Sequence, residues 1–148
     1  RACKDGHDKE ARWNMMMAST EGAMAFSKGL GAVHSMSHAL GANQELRLHH
    51  GTLNAVILPS VLRFNKNHVE NKYSRIARAM GNKVTTDLAN EIEKLNEKIG
   101  MPSSLSEMGV TEDMIPKLVA HAATDPSNLT TPRLPSQEEW EKLFLEAM

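Results

Sequence analysis

Three histidines, His34, His38 and His50, lie within a short stretch of the 148-residue chain. His34 and His38 are four residues apart, so on a helix their rings project from one face about one turn apart. His50 follows after a turn, directly before an apolar segment. Imidazole is a suitable ligand for iron, zinc, copper and nickel, and two or three convergent rings often begin a coordination sphere. One interpretation of these residues is therefore a metal site.

The same spacing also has a purely structural interpretation. An HxxxH pair arises often by chance, and a catalytic metal site usually has three protein ligands and an open position. Between residues 30 and 52 the only carboxylate is Glu45, and nothing marks it as a ligand. We expect His7 to lie on the surface and His121 to be half-buried in a helix. Spacing alone leaves metal binding and packing both open.

Composition and charge narrow the function classes. Apolar residues make up 41% and charged residues 24%, which is ordinary for one soluble globular domain. The net charge is −1 and Lys and Arg form no block, so the electrostatic footprint of a nucleic-acid or anionic-membrane partner is absent. No apolar run reaches the ~20 residues that span a bilayer. The single Cys3 excludes an internal disulfide and fits a reducing compartment, and we expect a cytoplasmic protein.

The periodicity of apolar residues predicts an all-α domain. Helices are expected over about residues 8–27, over 33–40, and over 53–64, where the sequence is apolar on all sides and therefore buried. Pro59 should kink that helix and leave a carbonyl near Ala55 without its helical donor. Ten methionines stand against six aromatic residues, and we assign Met15, Met16, Met17 and Met24 to the core.

Four further helices are predicted towards the C-terminus. One starts at an Asn67 N-cap, with Glu70 three residues on, and ends at Gly81. The next carries an apolar stripe from Val84 to Ile99. Thr111 opens a third, residues 124–135 are loop, and a Ser136–Glu139 capping box starts the last. Their predicted buried residues are Val69, Tyr73, Ile76 and Met80; Val84, Leu88, Ile92, Leu95 and Ile99; Ile115, Leu118, Val119 and Ala122; and Trp140, Leu143 and Phe144.

Two segments carry a resemblance to a known family. Residues 25–42 read AFSKGLGAVHSMSHALGA, and residues 50–59 read HGTLNAVILP. In order, they contain a Gly-rich approach, an HxxxHxxG motif and an HGxxNAxxLP motif. This pattern resembles the signature of the iron-containing (group III) alcohol dehydrogenases. Weaker similarity extends over nearly the whole chain.

The resemblance implies a fold and a site. Family members have an N-terminal α/β dinucleotide-binding domain and a C-terminal all-helical domain, with the active site between them. Residues 1–148 would be the helical domain. Four groups in the family hold Fe²⁺, sometimes Zn²⁺: an Asp and a His from a D-x-x-x-H motif, then two histidines that map onto His34 and His50. His50 is preferred over His49 because Gly51 follows it. The histidine at position 38 lies by the nicotinamide of NAD or NADP and helps to move protons.

The implied reaction is metal-assisted hydride transfer between an alcohol or aldehyde and the nicotinamide. Neither Asp5 nor Asp8 has a histidine four residues on, so the D-x-x-x-H motif is missing before His34. We therefore expect a fragment without its N-terminal domain, inactive alone, whose uncovered apolar surface favours a homo-oligomer. One alternative is a stand-alone helical metal-binding module that uses His34, His38 and His50. Another is a structural helical interaction domain.

Overall fold

The computed structural model describes residues 1–69, 71–83 and 87–148. Every regular element within these ranges is an α- or 3₁₀-helix, which confirms the predicted all-α class. None of the described helices is long and apolar enough to cross a bilayer. The α-helices are α1 (Lys9–Phe26), α2 (Ala32–Gly41), α3 (His50–Asn65), α4 (Lys72–Ala79), α5 (Leu88–Lys98), α6 (Ile115–Thr124) and α7 (Gln137–Ala147); short 3₁₀-helices span Lys66–His68, Glu112–Met114 and Pro126–Thr130.

The core forms where α2 and α3 meet α6 and α7. α2 packs against both α3 and α6, and α3 packs in addition against α5 and α7. Burial of large apolar side chains at these contacts is the main favourable term for the fold. The fully buried large residues are Met36, Leu40, Leu53, Ile57, Leu105, Trp140 and Phe144.

The α3 helix runs from His50 to Asn65 with Pro59 inside it. Proline has no N–H, so the carbonyl of Ala55 loses its helical donor, as predicted. The side-chain amide of Asn96 on α5 donates to that carbonyl at 2.7 Å. The hydrogen bond that proline removes from α3 is thus replaced by one that ties α3 to α5.

The predicted start of α4 is wrong. Asn67 lies in the 3₁₀-helix Lys66–His68, and α4 begins at Lys72 after Asn71. The backbone leaves helical geometry at Val69 (φ −119°, ψ 10°), whose side chain turns into the core and is 5% exposed. This turn separates α3 from α4. Glu70 and Val84, which the predictions also used, lie outside the described residues.

The predicted apolar stripes of α4 and α5 are only partly buried. Ile76, Met80, Leu95 and Ile99 are exposed, which contradicts the prediction. The side chains that are buried are smaller or nearer the helix start: Ala77 on α4, and Leu88 and Ala89 on α5. α5 packs on α3, whereas α4 makes only a small contact with α5, so only the residues of each helix that face these neighbours are covered.

The assignment of methionines to the core is also wrong for α1. Met15, Met16, Met17 and Met24 are between 40% and 68% exposed, and the only buried residue of α1 is Ala11. The reason is that α1 makes few contacts with the other described helices. Self-association through this surface stays a prediction.

The C-terminal elements agree more closely with the structure predicted from the sequence. The predicted faces of α6 and α7 are buried, and Ser136 and Glu139 form the expected capping box. Two details differ. His121 is exposed rather than half-buried, whereas His7 is exposed as predicted. The segment predicted as loop between Thr124 and Pro135 contains the 3₁₀-helix Pro126–Thr130.

Candidate active site

The packing of α2 on α3 brings His34, His38 and His50 together as a histidine cluster. His34 and His38 lie one turn apart on α2, with ring centroids 5.7 Å apart. His50 is the first residue of α3, and its ring centroid lies 5.3 Å from that of His34 and 5.5 Å from that of His38. The neighbouring His49 is the N-cap of α3, and its Nδ1 accepts from the Thr52 N–H. The ring of His49 is thus held at Thr52 through Nδ1, whereas the ring of His50 lies in the cluster.

Two ring nitrogens of the cluster converge on one side chain. The Nδ2 atom of Asn54 lies 3.1 Å from Nε2 of His50 and 3.4 Å from Nε2 of His34. Asn54 is one turn after His50 on α3, in the HGxxNA motif. Its Oδ1 is buried and has no hydrogen-bond partner among the described residues. The two Nε2 atoms therefore converge on a common position beside α3.

The hydroxyl of Ser37 orients the ring of His50. Ser37 Oγ donates to the carbonyl of His34 at 3.2 Å and lies 3.4 Å from Nδ1 of His50. Since its proton is used in the first bond, the hydroxyl is left to accept from Nδ1–H of His50. That tautomer keeps the lone pair on Nε2, the atom that faces Asn54.

The surroundings of His34 favour its neutral form. Partial burial lowers its pKa, and the neighbouring rings of His50 and His38 lower it further, whereas the carboxylate of Asp125 opposes them. The edge of Phe26 packs on His34 with centroids 5.6 Å apart. Neutral imidazole is the form that binds metals, so the environment of His34 favours ligation.

His38 has a different partner, Asp125. The Oδ2 atom of Asp125 lies 2.9 Å from Nδ1 of His38, and its Oδ1 accepts from the N–H of Ser127 at 2.8 Å. Burial opposes ionisation of this carboxyl, but the hydrogen bonds from Ser127 and His38 outweigh it and hold its pKa below the usual value. Asp125 was missed in the sequence because it lies 87 residues from His38. The local sequence Asp-Pro-Ser indicates only that Asp125 caps the 3₁₀-helix that follows, and it gives no sign of the contact with His38.

An apolar cavity of about 500 Å³ adjoins His34. Its walls include Val33, Leu58 and Tyr73, together with Gly29 and Gly31 of the Gly-rich approach. Thr130 contacts the backbone here, because its Oγ1 donates to the carbonyl of Leu30. The cavity gives one side of the histidine cluster an apolar surface, which strengthens electrostatic interactions there.

The donor set of the described residues fits part of a metal site. The two Nε2 atoms at Asn54 are nitrogen donors of the kind that bind Fe²⁺ and Zn²⁺. Within residues 1–69, 71–83 and 87–148, no group of three or more His, Cys, Asp and Glu side chains is arranged to hold a metal ion. Among the described residues the cluster thus offers two nitrogen donors of this kind, fewer than the three or four protein ligands of a tight site.

The sequence is similar to a known protein family and to characterised dehydrogenases. The family model described as "Fe-containing alcohol dehydrogenase family, C-terminal" matches residues 1–148. The chain is 44% identical to the 4-hydroxybutyrate dehydrogenase of Cupriavidus necator over all of its own length and 41% of that protein. It is 33% identical to the NAD-dependent methanol dehydrogenase of Bacillus methanolicus, again over 41% of that protein.

A solved structure gives the same result. The crystal structure of a 1,3-propanediol oxidoreductase superposes with a TM-score of 0.87 at 34% identity. It covers 99% of this chain and 40% of that one. The chain thus spans about 40% of the length of these relatives, and the family that the two histidine motifs predicted is confirmed.

Proposed function

This chain belongs to the Fe-containing alcohol dehydrogenase family, and we propose that it supplies one side of the active site of an NAD(P)-linked alcohol dehydrogenase. The observation that carries the proposal is the convergence of His34 Nε2 and His50 Nε2 on the side chain of Asn54. Both atoms belong to the motifs that resemble the family signature. The reaction is hydride transfer between a small alcohol and the nicotinamide.

His34 and His50 are the proposed metal ligands. When bound, Fe²⁺ or Zn²⁺ supplies Lewis acidity that lowers the pKa of the substrate hydroxyl. Ser37 contacts Nδ1 of His50, and burial lowers the pKa of His34, so both rings are favoured in the neutral form that can bind metal through Nε2. His49 is not proposed as a ligand because its ring caps α3 beside Thr52 and is not one of the rings that converge on Asn54.

His38 is the proposed proton relay. Its ring stacks on that of His50 with an interplanar angle of 15°, while its Nδ1 is engaged with Asp125. Nε2 has no hydrogen-bond partner among the described residues and is partly exposed, so it can exchange a proton between the substrate hydroxyl and solvent. In the proposal, His38 also lies beside the nicotinamide.

The substrate and the nicotinamide need more protein than this chain. The relatives are named for 4-hydroxybutyrate and methanol, and we propose a small alcohol of this kind as substrate. NAD or NADP would be bound mainly by an N-terminal nucleotide-binding domain. The chain by itself should therefore bind metal weakly and show no turnover.

A metal titration tests the ligand assignment. Anaerobic calorimetry with Fe²⁺, repeated with Zn²⁺, should show weak binding at one ion per chain. His34→Ala and His50→Ala should each abolish it, while His49→Ala, the adjacent cap residue, should retain it. Unchanged binding in both ligand variants would overturn the assignment. Sustained NAD(P) reduction by the chain with an alcohol would overturn the claim that it lacks part of the site.

The same titration separates the alternative of a stand-alone metal-binding module. Because all three rings lie within 6 Å of one another, a module could use His38 as well. It would then bind with sub-micromolar affinity and lose that affinity in His38→Ala. Weak binding that survives His38→Ala supports the dehydrogenase assignment.

A further inference from the structure

The carboxylate of Asp125 is more deeply buried than the histidine that it contacts. Its side chain is 8% exposed, compared with 39% for His38. Both oxygens are used, since Oδ1 accepts from the Ser127 N–H and Oδ2 lies 2.9 Å from His38 Nδ1. A buried carboxylate with such partners is ionised and can only accept hydrogen bonds. Nδ1 of His38 must then carry the proton.

The segment that holds Asp125 is itself fixed to the core. Ser35 Oγ on α2 donates to Asn128 Oδ1 at 2.7 Å, and Asn128 Nδ2 donates to the Ala122 carbonyl on α6, also at 2.7 Å. These bonds tie the 3₁₀-helix Pro126–Thr130 to α2 and α6. The segment that carries the carboxylate is thus anchored to the helix that carries His38.

We propose that Asp125 is the positioning residue of His38 and holds the ring as the Nδ1–H tautomer with the lone pair on Nε2. A neutral imidazole in water prefers the opposite tautomer, with its proton on Nε2. The contact with Asp125 reverses that preference and leaves Nε2 as the basic atom. The catalytic meaning of this arrangement rests on the proposed role of His38 in proton transfer, but the tautomer itself requires neither metal nor nicotinamide.

The tautomer can be measured on the 148-residue chain by nitrogen-15 NMR. Long-range proton–nitrogen spectra of the histidine-labelled chain distinguish a protonated ring nitrogen from one that carries a lone pair. Spectra would be taken about two pH units above the ordinary histidine pKa of about 6.5. His38→Gln identifies the His38 signals by their disappearance. We expect Nδ1 of His38 to be protonated and Nε2 to be free.

Asp125→Asn is the decisive variant. Asparagine keeps Oδ1 for the Ser127 N–H but places an NH₂ group against His38 Nδ1. That group can only donate, so His38 should change to the Nε2–H tautomer. Asp125→Ala should relax to the same tautomer. The exposed His121 is an internal control whose signals should not change. Wild-type His38 with Nε2 protonated, or an unchanged tautomer in Asp125→Asn, would overturn the inference.

The metal titration keeps this inference separate from the proposed function. Asp125→Asn should bind Fe²⁺ as the wild type does, because His34 and His50 are untouched. If His34→Ala and His50→Ala leave metal binding unchanged while the tautomer inverts in Asp125→Asn, the ligand assignment fails and the positioning role stands. If the tautomer does not depend on Asp125 but metal binding depends on His34 and His50, the positioning role fails alone.

Discussion

The side-chain amide of Asn96 donates to the carbonyl of Ala55 at 2.7 Å and occupies the hydrogen-bond position that Pro59 leaves without a donor. Proline in a helix interior removes one helical hydrogen bond and is costly for that reason. Here the hydrogen bond from Asn96 on the neighbouring helix α5 replaces the lost helical bond and offsets that cost. The pair links α3, which carries His50 and Asn54, to α5, so it stabilises one wall of the candidate site.

Replacing Asn96 should therefore destabilise the fold. Asn96→Ala leaves the half-buried Ala55 carbonyl without a donor, which should lower the free energy of unfolding by about 1 kcal/mol. Asn96→Asp should cost more, since a carboxylate would face the carbonyl oxygen. Urea unfolding followed by circular dichroism measures both.

The matched control is Asn90→Ala on the same helix. Its side chain is exposed and makes no hydrogen bond among the described residues, so the change should stay within about 0.5 kcal/mol. Equal stabilities for Asn96→Ala and Asn90→Ala would show that the Ala55 carbonyl is satisfied without Asn96.

The Pro59 case shows what the sequence could and could not predict. A proline inside an apolar helix predicts an orphaned carbonyl, because that follows from local geometry. The donor cannot be predicted in the same way, since Asn96 lies 41 residues from Ala55. The same limit applies to the histidines. Helical periodicity places His34 beside His38, but the convergence with His50 depends on how α2 packs on α3.

Burial was predicted well where a helix has partners on its apolar side. The faces of α6 and α7 pack on α2 and α3 and are buried as expected. The methionines of α1 are apolar too, yet they are exposed because few contacts cover that helix. An apolar side chain favours burial, but it becomes buried only where another element of the fold packs against it.

Two glycines offer a matched test of backbone geometry near the site. Gly29 has φ of +100°, and a methyl group there would overlap the side chain of Thr130. Gly29→Ala should destabilise the fold by about 1–3 kcal/mol, because alanine rarely adopts this conformation. It should also shift the NMR signals of His34, since Gly29 and His34 line the same cavity.

Gly22→Ala is the control, with the opposite sign expected. Gly22 lies inside α1, and a methyl group there meets nothing within 4 Å. Alanine in a helix interior should add about 0.5–1 kcal/mol of stability. Thermal unfolding of both variants measures the difference. A Gly29→Ala variant as stable as Gly22→Ala would contradict the predicted strain.

The capping box of α7 predicts a pH dependence on the acid side. The Ser136 N–H donates to Glu139 Oε2 at 2.8 Å, and Arg133 donates to Oε1 at 2.7 Å. These bonds hold the pKa of Glu139 below its usual value. Since the pKa is lower in the folded state, the unfolded state binds the proton first as the pH falls. The stabilisation is fully present above the unfolded glutamate pKa of about 4.3 and is lost as the pH falls through the folded value.

Glu139→Gln tests this dependence, because glutamine can still accept from the Ser136 N–H but does not titrate. Urea midpoints of the wild type, measured from about pH 6 to about pH 3, should fall more steeply than those of the variant. Glu138→Gln changes the neighbouring exposed glutamate, which makes no side-chain hydrogen bond among the described residues. It should follow the wild-type slope. If Glu139→Gln follows that slope as well, the acid sensitivity of the fold arises from carboxylates other than the capping residue, and the cap stabilises α7 without depending on charge.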